Sequence, residues 1–421
     1  MNLIGFYSKK NLYKLTKFDY YKKSFSKLKK DNINIIYFYQ EEKDTKIDQE
    51  IFENIKKMWV TIKSFNKEWE IIKYLKKLSW KIFINTFEEQ EIKFVNKIRK
   101  GIDQKITNEP EIFLNKYIQR EIIGKTYTET TVRFKKFSLK NAKEIKKSDL
   151  PKTPFIIKPT GWIQSSGVCR INNYKEYKTW LKTIEDAFKK LAEKKLLNQE
   201  VLIEEFIDGK MYTIDYYIDE EQNIKLSKPV FVALWIDYNI EDFCNISRII
   251  SKEIEQKVDK NKLEEFIKKT VIWWWIKNTF IHHEFKINSK WEYKTIEING
   301  RIWWYRLDMY QLWYDIDLLT MPFFIREKNK KLKNNIATFA LYPKEEATFD
   351  WFNEQLIKKI IKLESFFRLN RWDKKEWDII WPTKKWYGKV WWIILKNKNI
   401  NQFKKDVQFL ETNYLKIIRI K

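Results

Sequence analysis

Short apolar runs alternate with polar stretches of helical spacing over residues 1–105. "NINIIYFY" and "WKIFINTF" read as buried strands, and "DQEIFENIKKM" and "KEWEIIKYLKKL" as amphipathic helices. That alternation predicts a small α/β layer domain. From 106 to 325 strands become more frequent, with "PFIIKPT", "VLIEEFIDGKMYTIDYYID", "FIHHEFKI" and "EYKTIEING" separated by helices such as "KEYKTWLKTIEDAFKKLAEKK". This stretch is the expected α+β centre. The tail, 326–421, opens with "IATFALYP", passes through a helix and ends in strands around "KVWWIILKN" and "LKIIRIK", which predicts a third, smaller α/β lobe. No low-complexity linker and no internal repeat divides the three regions, so tight packing is expected.

Composition changes this picture at the turns. Globular chains average roughly 7% glycine, which predicts about 29 for this length, whereas the chain has 8 glycines and 20 tryptophans among 421 residues. Many tryptophans stand where turn residues belong, as in "VIWWWIKN", "NSKWEYK", "NGRIWWYR" and "RWDKKEWDIIWPTKKWYGKVWWIIL". A fold of this size with so little glycine would be strained wherever φ must be positive. We therefore read many of these letters as UGA codons that the source lineage translates as glycine, with Trp273, Trp274, Trp275, Trp303, Trp304, Trp391 and Trp392 foremost. The competing reading is a tryptophan-rich core or aromatic binding surface.

The formal net charge is +26, which resembles a nucleic-acid footprint. Lysine is nevertheless spread along the whole chain with abundant Ile and Asn, as AT-rich coding imposes, and no nucleic-acid motif interrupts it. Nucleic-acid binding is not expected; attraction of anionic substrates is. A 44% hydrophobic content excludes general disorder. No run approaches a membrane span, and the N-terminal apolar run is too short for a signal peptide, so a cytoplasmic location is the expectation. Cys169 and Cys244 lack metal or redox spacing and read as reduced structural thiols.

The sharpest chemical signal is a hairpin, "FIHHEFKINSKWEYKTIEING", turning at Asn288 to Trp291, where glycine would suit position 291. Alternation places His282, Glu284 and Lys286 on one face of the first strand, and Thr295, Glu297 and Asn299 on one face of the second. A symmetric turn sets Glu284 across from Thr295 and diagonal to Glu297, a separation of roughly 7–8 Å. Two carboxylates and an amide oxygen make a hard oxygen site suited to Mg²⁺ beside nucleotide phosphates. Arg301 follows closely and could supply a planar cation to phosphate in transfer. The alternative is a solvated strand face with ordinary charges.

Two weaker signals precede the hairpin. In "FIIKPTGWIQSSGV" Lys158 ends an apolar strand and leads into a loop with Gly161, Trp162, Ser165, Ser166 and Gly167, able to hold phosphate or serve as an ordinary turn. In "VLIEEFIDGK" a strand runs into Glu204 and Glu205 before the Asp208-Gly209 turn, and such a hinge can offer backbone groups to an adenine edge.

In order, these segments resemble the ATP-grasp superfamily from about residue 80 onward, most specifically in "HHEFKI…TIEINGRI". The resemblance implies an ATP-grasp fold with a Rossmann-like N-terminal lobe (1–105), an ATP-grasp domain (106–325) and a small C-terminal lobe (326–421). It implies that Glu284, Glu297 and Asn299 hold Mg²⁺, with Mn²⁺ as the alternative ion, and that Arg301 stabilises the acyl-phosphate transition state. Lys158 and Lys116 would contact ATP phosphates, Glu204 would face the adenine amino group, and the backbone of Glu205, Phe206 and Ile207 would complete the base pocket. Two positions depart from the pattern. Asn115 stands where an aspartate often precedes the lysine, and Met211 where a glutamate commonly grips the ribose. The implied activity is a carboxylate-amine ligase acting on small molecules and forming ADP. The rivals are a carboxylase or acyl-CoA ligase of the same superfamily, and an ATP-binding regulatory protein without turnover.

Overall fold

A computed structural model of the chain describes residues 2–8, 19–40, 49–65, 67–106, 110–161, 167–192, 200–238, 240, 243–271, 276–302, 304–314, 316–323, 333–371, 375–382 and 390–421. The first layer is a parallel sheet of β1 (Asn2–Ser8), β2 (Ile33–Gln40), β3 (Val60–Phe65) and β4 (Lys81–Thr86), in the order β3-β2-β1-β4. Helices α1 (Asp19–Lys30), α2 (Gln49–Lys56) and α3 (Glu68–Lys76) make its crossovers, and α4 (Ile92–Gly101) follows β4. Both faces are covered. Ile4, Phe6, Ile35 and Tyr37 enter one apolar cluster, while Leu3, Tyr7, Ile36 and Phe38 enter another. Burial on both sides is why these strands read as continuous apolar runs. β1, which pairs with both β2 and β4, is the N-terminal run that the pattern treats only as too short for a leader.

The centre of the chain builds two sheets. After α5 (Lys116–Thr126), the strands β5 (Phe134–Ser138), β6 (Phe155–Pro159), β7 (Cys169–Ile171) and β8 (Glu200–Glu205) form an antiparallel sheet ordered β5-β8-β6-β7. It is covered by α6 (Tyr174–Ala192) through Tyr177, Trp180, Leu181 and Ile184. The larger sheet begins with β9 (Lys210–Ile218), β10 (Ile224–Leu226), β11 (Val230–Leu234), β12 (Asn245–Ile250), β13 (Thr279–Ile287) and β14 (Tyr293–Asn299). Helix α7 (Trp304–Trp313) follows, and the tail adds β15 (Asn335–Leu341), β16 (Ala347–Phe352), β17 (Phe366–Arg371), β18 (Ile379–Ile380), β19 (Trp391–Asn397) and β20 (Ile418–Ile420). The order in the large sheet is β14-β13-β9-β11-β12-β15-β19-β17, with β10 also on β9. Where the pattern suggested a separate lobe from 326, β15, β17 and β19 thus continue the central sheet. Only β16, β18 and β20 form a sheet of their own.

Among the described residues three tryptophans occupy left-handed backbone. Trp59, Trp291 and Trp377 have φ of 62°, 62° and 73°, a region where bulky side chains are outliers. All three are more than half exposed, so no core contact holds them there. Trp291 lies in the turn between β13 and β14, where its N–H donates to Asn288 O at 3.0 Å. Trp180 behaves differently: it is buried, and its indole N–H donates to Gly167 O at 2.9 Å, as a true core indole does. Trp391 and Trp392 are buried in β19, where the backbone demands no glycine, although the Trp391 ring is crowded to 3.8 Å from the centroid of Phe352. Trp273, Trp274, Trp275 and Trp303 lie outside the described residues, as does the side chain of Trp304.

Among the described residues no helix is long and apolar enough to cross a membrane. Cys169 and Cys244 are unbridged.

Candidate functional site

The β13–β14 hairpin pairs differently from the symmetric expectation. Its loop runs through Glu292, so Ile287 pairs with Tyr293, and Ile296 is an extra residue between the pairs Phe285–Thr295 and Glu284–Glu297. Such a bulge breaks the alternation of faces. Two one-residue shifts therefore bring Glu297 directly opposite Glu284 and Asn299 opposite His282. Thr295, expected beside Glu297, turns to the other face, where its Oγ1 lies 3.2 Å from His283 Nε2 among Phe266, Phe285 and Tyr293. The diagonal spacing is corrected to a direct cross-strand pair.

Helix α5 closes this face. Asn115 caps it by accepting from the N–H groups of Tyr117 and Ile118, so an amide serves the cap as an aspartate would. Lys116, Gln119, Arg120 and Ile123 recur at helical spacing and are buried together. Lys116 Nζ reaches Glu297 Oε1 at 2.8 Å. The Gln119 amide donates to Ile298 O at 2.7 Å and accepts from Ile298 N at 3.0 Å, pairing the free edge of β14 like one residue of a strand. Arg120 donates to Glu204 Oε1 and to the bulged Ile296 carbonyl, both at 2.7 Å. One helix thereby ties the small sheet to the large one.

Lys158 and Glu204 occupy diagonal positions on β6 and β8, and their side chains meet at 2.7 Å. Glu204, expected at the adenine amino group, is thus a buried carboxylate between Arg120 and Lys158. Burial would raise its pKa, but the two cations outweigh burial and hold it low. For Lys158 burial wins, aided by Arg120 and Lys116, and its pKa falls to about 8. Gly167 has φ of +70°, fitting a turn into β7. Trp162, Ser165 and Ser166 lie outside the described residues.

Beyond β8 the hinge is partly engaged. Glu205 N–H donates to Arg133 O, and its carboxylate pairs with Arg133 at 2.7 Å. The Phe206 ring lies between Arg170 and Lys286, at 4.7 and 5.2 Å. Ile207 O accepts from Lys286 Nζ at 2.8 Å. Burial lowers the pKa of Lys286 to about 8. Gly209 could not be replaced there, since a Cβ would stand 2.1 Å from Ile287 O. Met211 packs with Val232 and Leu234, so an apolar wall stands where a ribose-binding carboxylate is common.

Charges around the hairpin are unequal. Burial pushes Glu297 up, and Lys116 does not fully offset the nearby Glu284 and Glu89. Glu284 is held below the usual range: burial opposes its charge, but His282, Arg248 and Lys116 prevail. Arg301 Nη2 donates to Glu89 Oε2 at 2.7 Å, so the loop after β4 delivers a carboxylate to the site. Glu89, Arg120 and Asp215 escaped the sequence reading, because each acts from a different part of the fold and carries no local motif.

The residues present fit a divalent ion. Among the described residues no three His, Cys, Asp or Glu side chains converge as a metal cluster. Glu284 and Glu297, however, face each other across one rung, and Asn299 Oδ1 beside them is buried without a hydrogen-bond partner among the described residues. Such an oxygen calls for an acceptor's partner, and three hard oxygens suit Mg²⁺ or Mn²⁺. A separate cleft of about 660 Å³ lies by Ile214, Leu226 and Leu263 and includes none of these residues.

Residues 151–303 match the family model of the ATP-grasp domain. No curated protein sequence matches the chain significantly. Among solved structures, the chain is similar to L-amino acid ligase from Bacillus licheniformis, at 12% identity and a TM-score of 0.69, covering 100% of this chain and 98% of that one. It is similar to phosphoribosylglycinamide synthetase from Anaerococcus prevotii, at 15% identity and 0.57, over 100% and 99%. It is also similar to biotin carboxylase from Campylobacter jejuni, at 11% identity and 0.58, over 100% and 92%. At these identities the likeness is one of fold. Residues 151–303 thus match the ATP-grasp domain, inside an ATP-grasp fold that the chain shares along its whole length with these proteins.

Proposed function

We propose that the protein is an ATP- and Mg²⁺-dependent ligase that joins a small carboxylate to an amine through an acyl phosphate. The observation that carries this reading is the rung Glu284–Glu297 with the orphaned Asn299 oxygen beside it and Lys116 on Glu297, while Lys158 is held by Glu204 and Arg301 by Glu89. Glu284, Glu297 and Asn299 would hold the ion, which when bound neutralises charge on the phosphate oxygens. Lys158 and Lys116 are placed to bind phosphate, exchanging Glu204 and Glu297 for it in part. Arg301, fixed by Glu89, offers a planar cation to the phosphoryl group in flight. Phe206 and the Ile207 backbone would border the base, and Met211 the sugar.

In this reaction a carboxylate oxygen attacks the γ-phosphorus and the bond to ADP breaks. The amine nitrogen then attacks the acyl carbon, the bond to phosphate breaks, and the nitrogen loses a proton to solvent. The chain's contribution is orientation and charge stabilisation. A panel of acids and nucleophiles tests the reading through its nucleotide product. ADP and phosphate, formed only with a carboxylate and increased by an amine, support it; AMP and pyrophosphate contradict it. Bicarbonate among the acids and coenzyme A among the nucleophiles separate the carboxylase and acyl-CoA ligase readings, and no turnover with any pair favours a regulatory protein.

A further inference from the structure

Behind Glu284 lies a buried polar chain that the proposed reaction does not use. The β9–β13 register sets His282 opposite Asp215 and Glu284 opposite Thr213, so all four side chains emerge on one face. The His282 ring is 1% exposed. Its Nδ1 lies 2.8 Å from Asp215 Oδ1, and its Nε2 lies 3.6 Å from Glu284 Oε1. The imidazole therefore stands between two carboxylates, one deep and one at the rung.

Asp215 is itself fixed from several sides. Its backbone N–H donates to Ser227 Oγ at 3.1 Å, and Ser227 donates in turn to the Tyr310 hydroxyl at 2.9 Å. That hydroxyl lies 3.3 Å from Asp215 Oδ2, and the fully buried Arg306 approaches the same oxygen at 3.9 Å while donating to Thr213. Three parts of the fold, β13, the turn after β10 and α7, converge on this one carboxylate of β9. A buried cation and carboxylate gain little stability over apolar packing, so their place behind a rung carboxylate calls for another account. Partners that orient a ligating carboxylate are worth about 10–100-fold in metal affinity.

We infer that Asp215 and His282 are a positioning pair: His282, held by Asp215, sets the place of the Glu284 carboxylate and so the affinity of the rung for its divalent ion. This rests on the proposed metal role of Glu284, Glu297 and Asn299. Neither residue of the pair touches substrate or ion.

The test is Mn²⁺ binding to the full chain, with and without ADP, followed by electron paramagnetic resonance of the free ion. His282→Asn keeps a polar group toward Asp215 but falls short of Glu284, whereas His282→Gln carries its amide to the Nε2 position. The expected result is a Mn²⁺ dissociation constant raised about 10–100-fold in His282→Asn, largely restored in His282→Gln, with metal-free ADP binding unchanged in both. A merely structural histidine would lower the unfolding midpoint without this split. If His282→Asn does not fold, Asp215→Asn, which preserves shape, is read in the same way and should weaken Mn²⁺. Glu297→Gln is the control. Weakened Mn²⁺ binding in Glu297→Gln but not in the His282 or Asp215 variants overturns the positioning role alone. Unchanged binding in all of them overturns the metal face and the positioning role together.

Discussion

Lys158 holds the same Glu204 that Arg120 holds, so two cations share one carboxylate where water is excluded. The lysine is the cation that can yield its proton, and its pKa of about 8 says so. Nucleotide phosphate favours the charged form, which is complete below that value and lost above it. Affinity for ADP should therefore fall as pH rises from about 7 to about 9, and Lys158→Met should bind more weakly and flatten the dependence. Titration calorimetry across that range checks it; an equally steep profile in Lys158→Met would contradict it. At the same scale, Trp59, Trp291 and Trp377 sit in left-handed backbone and are more than half exposed. A side chain there costs about 1–2 kcal/mol, so glycine at each position should raise stability by about 1 kcal/mol after its own entropy cost. Denaturant unfolding of Trp291→Gly measures this, and UGA codons at the three sites would match it. Lower stability, with UGG codons, would oppose the glycine reading.

At the scale of elements, the helix α5 and the strand β14 show what could be read and what could not. The carboxylate strands were legible because apolar residues alternate with polar ones and a turn signal lies between them. The register was not, because the bulge at Ile296 depends on Arg120 drawing its carbonyl outward from another element. In α5 the sequence marks Lys116 but gives no reason for Gln119 to be buried. Its role exists only because β14 is an edge strand whose Ile298 groups need a partner. Gln119→Leu leaves that buried N–H and C=O unpaired and should cost about 2 kcal/mol. Urea unfolding decides it: a change within about 0.5 kcal/mol would mean that solvent satisfies the strand edge.

For the whole molecule, the site is assembled from distant parts of the chain. Glu89 arrives from the parallel layer, Lys116 and Arg120 from a helix, Lys158 and Glu204 from the small sheet, and the rung from the large one. Local pattern marks strands and a hairpin, yet the pairs Arg301–Glu89 and Asp215–His282 join residues far apart in sequence, and only packing brings them together. The tail's strands likewise continue the central sheet, a pairing fixed by tertiary contact and invisible in their alternation. The account's central claim is that this assembly transfers phosphate to a carboxylate before an amine displaces it. Once the panel yields a reacting pair, the acid labelled with oxygen-18 in its carboxyl group tests it most directly. Mass spectrometry should find one labelled oxygen in the released inorganic phosphate and the other in the amide product. Label recovered in AMP, or unlabelled phosphate, would contradict the acyl-phosphate route.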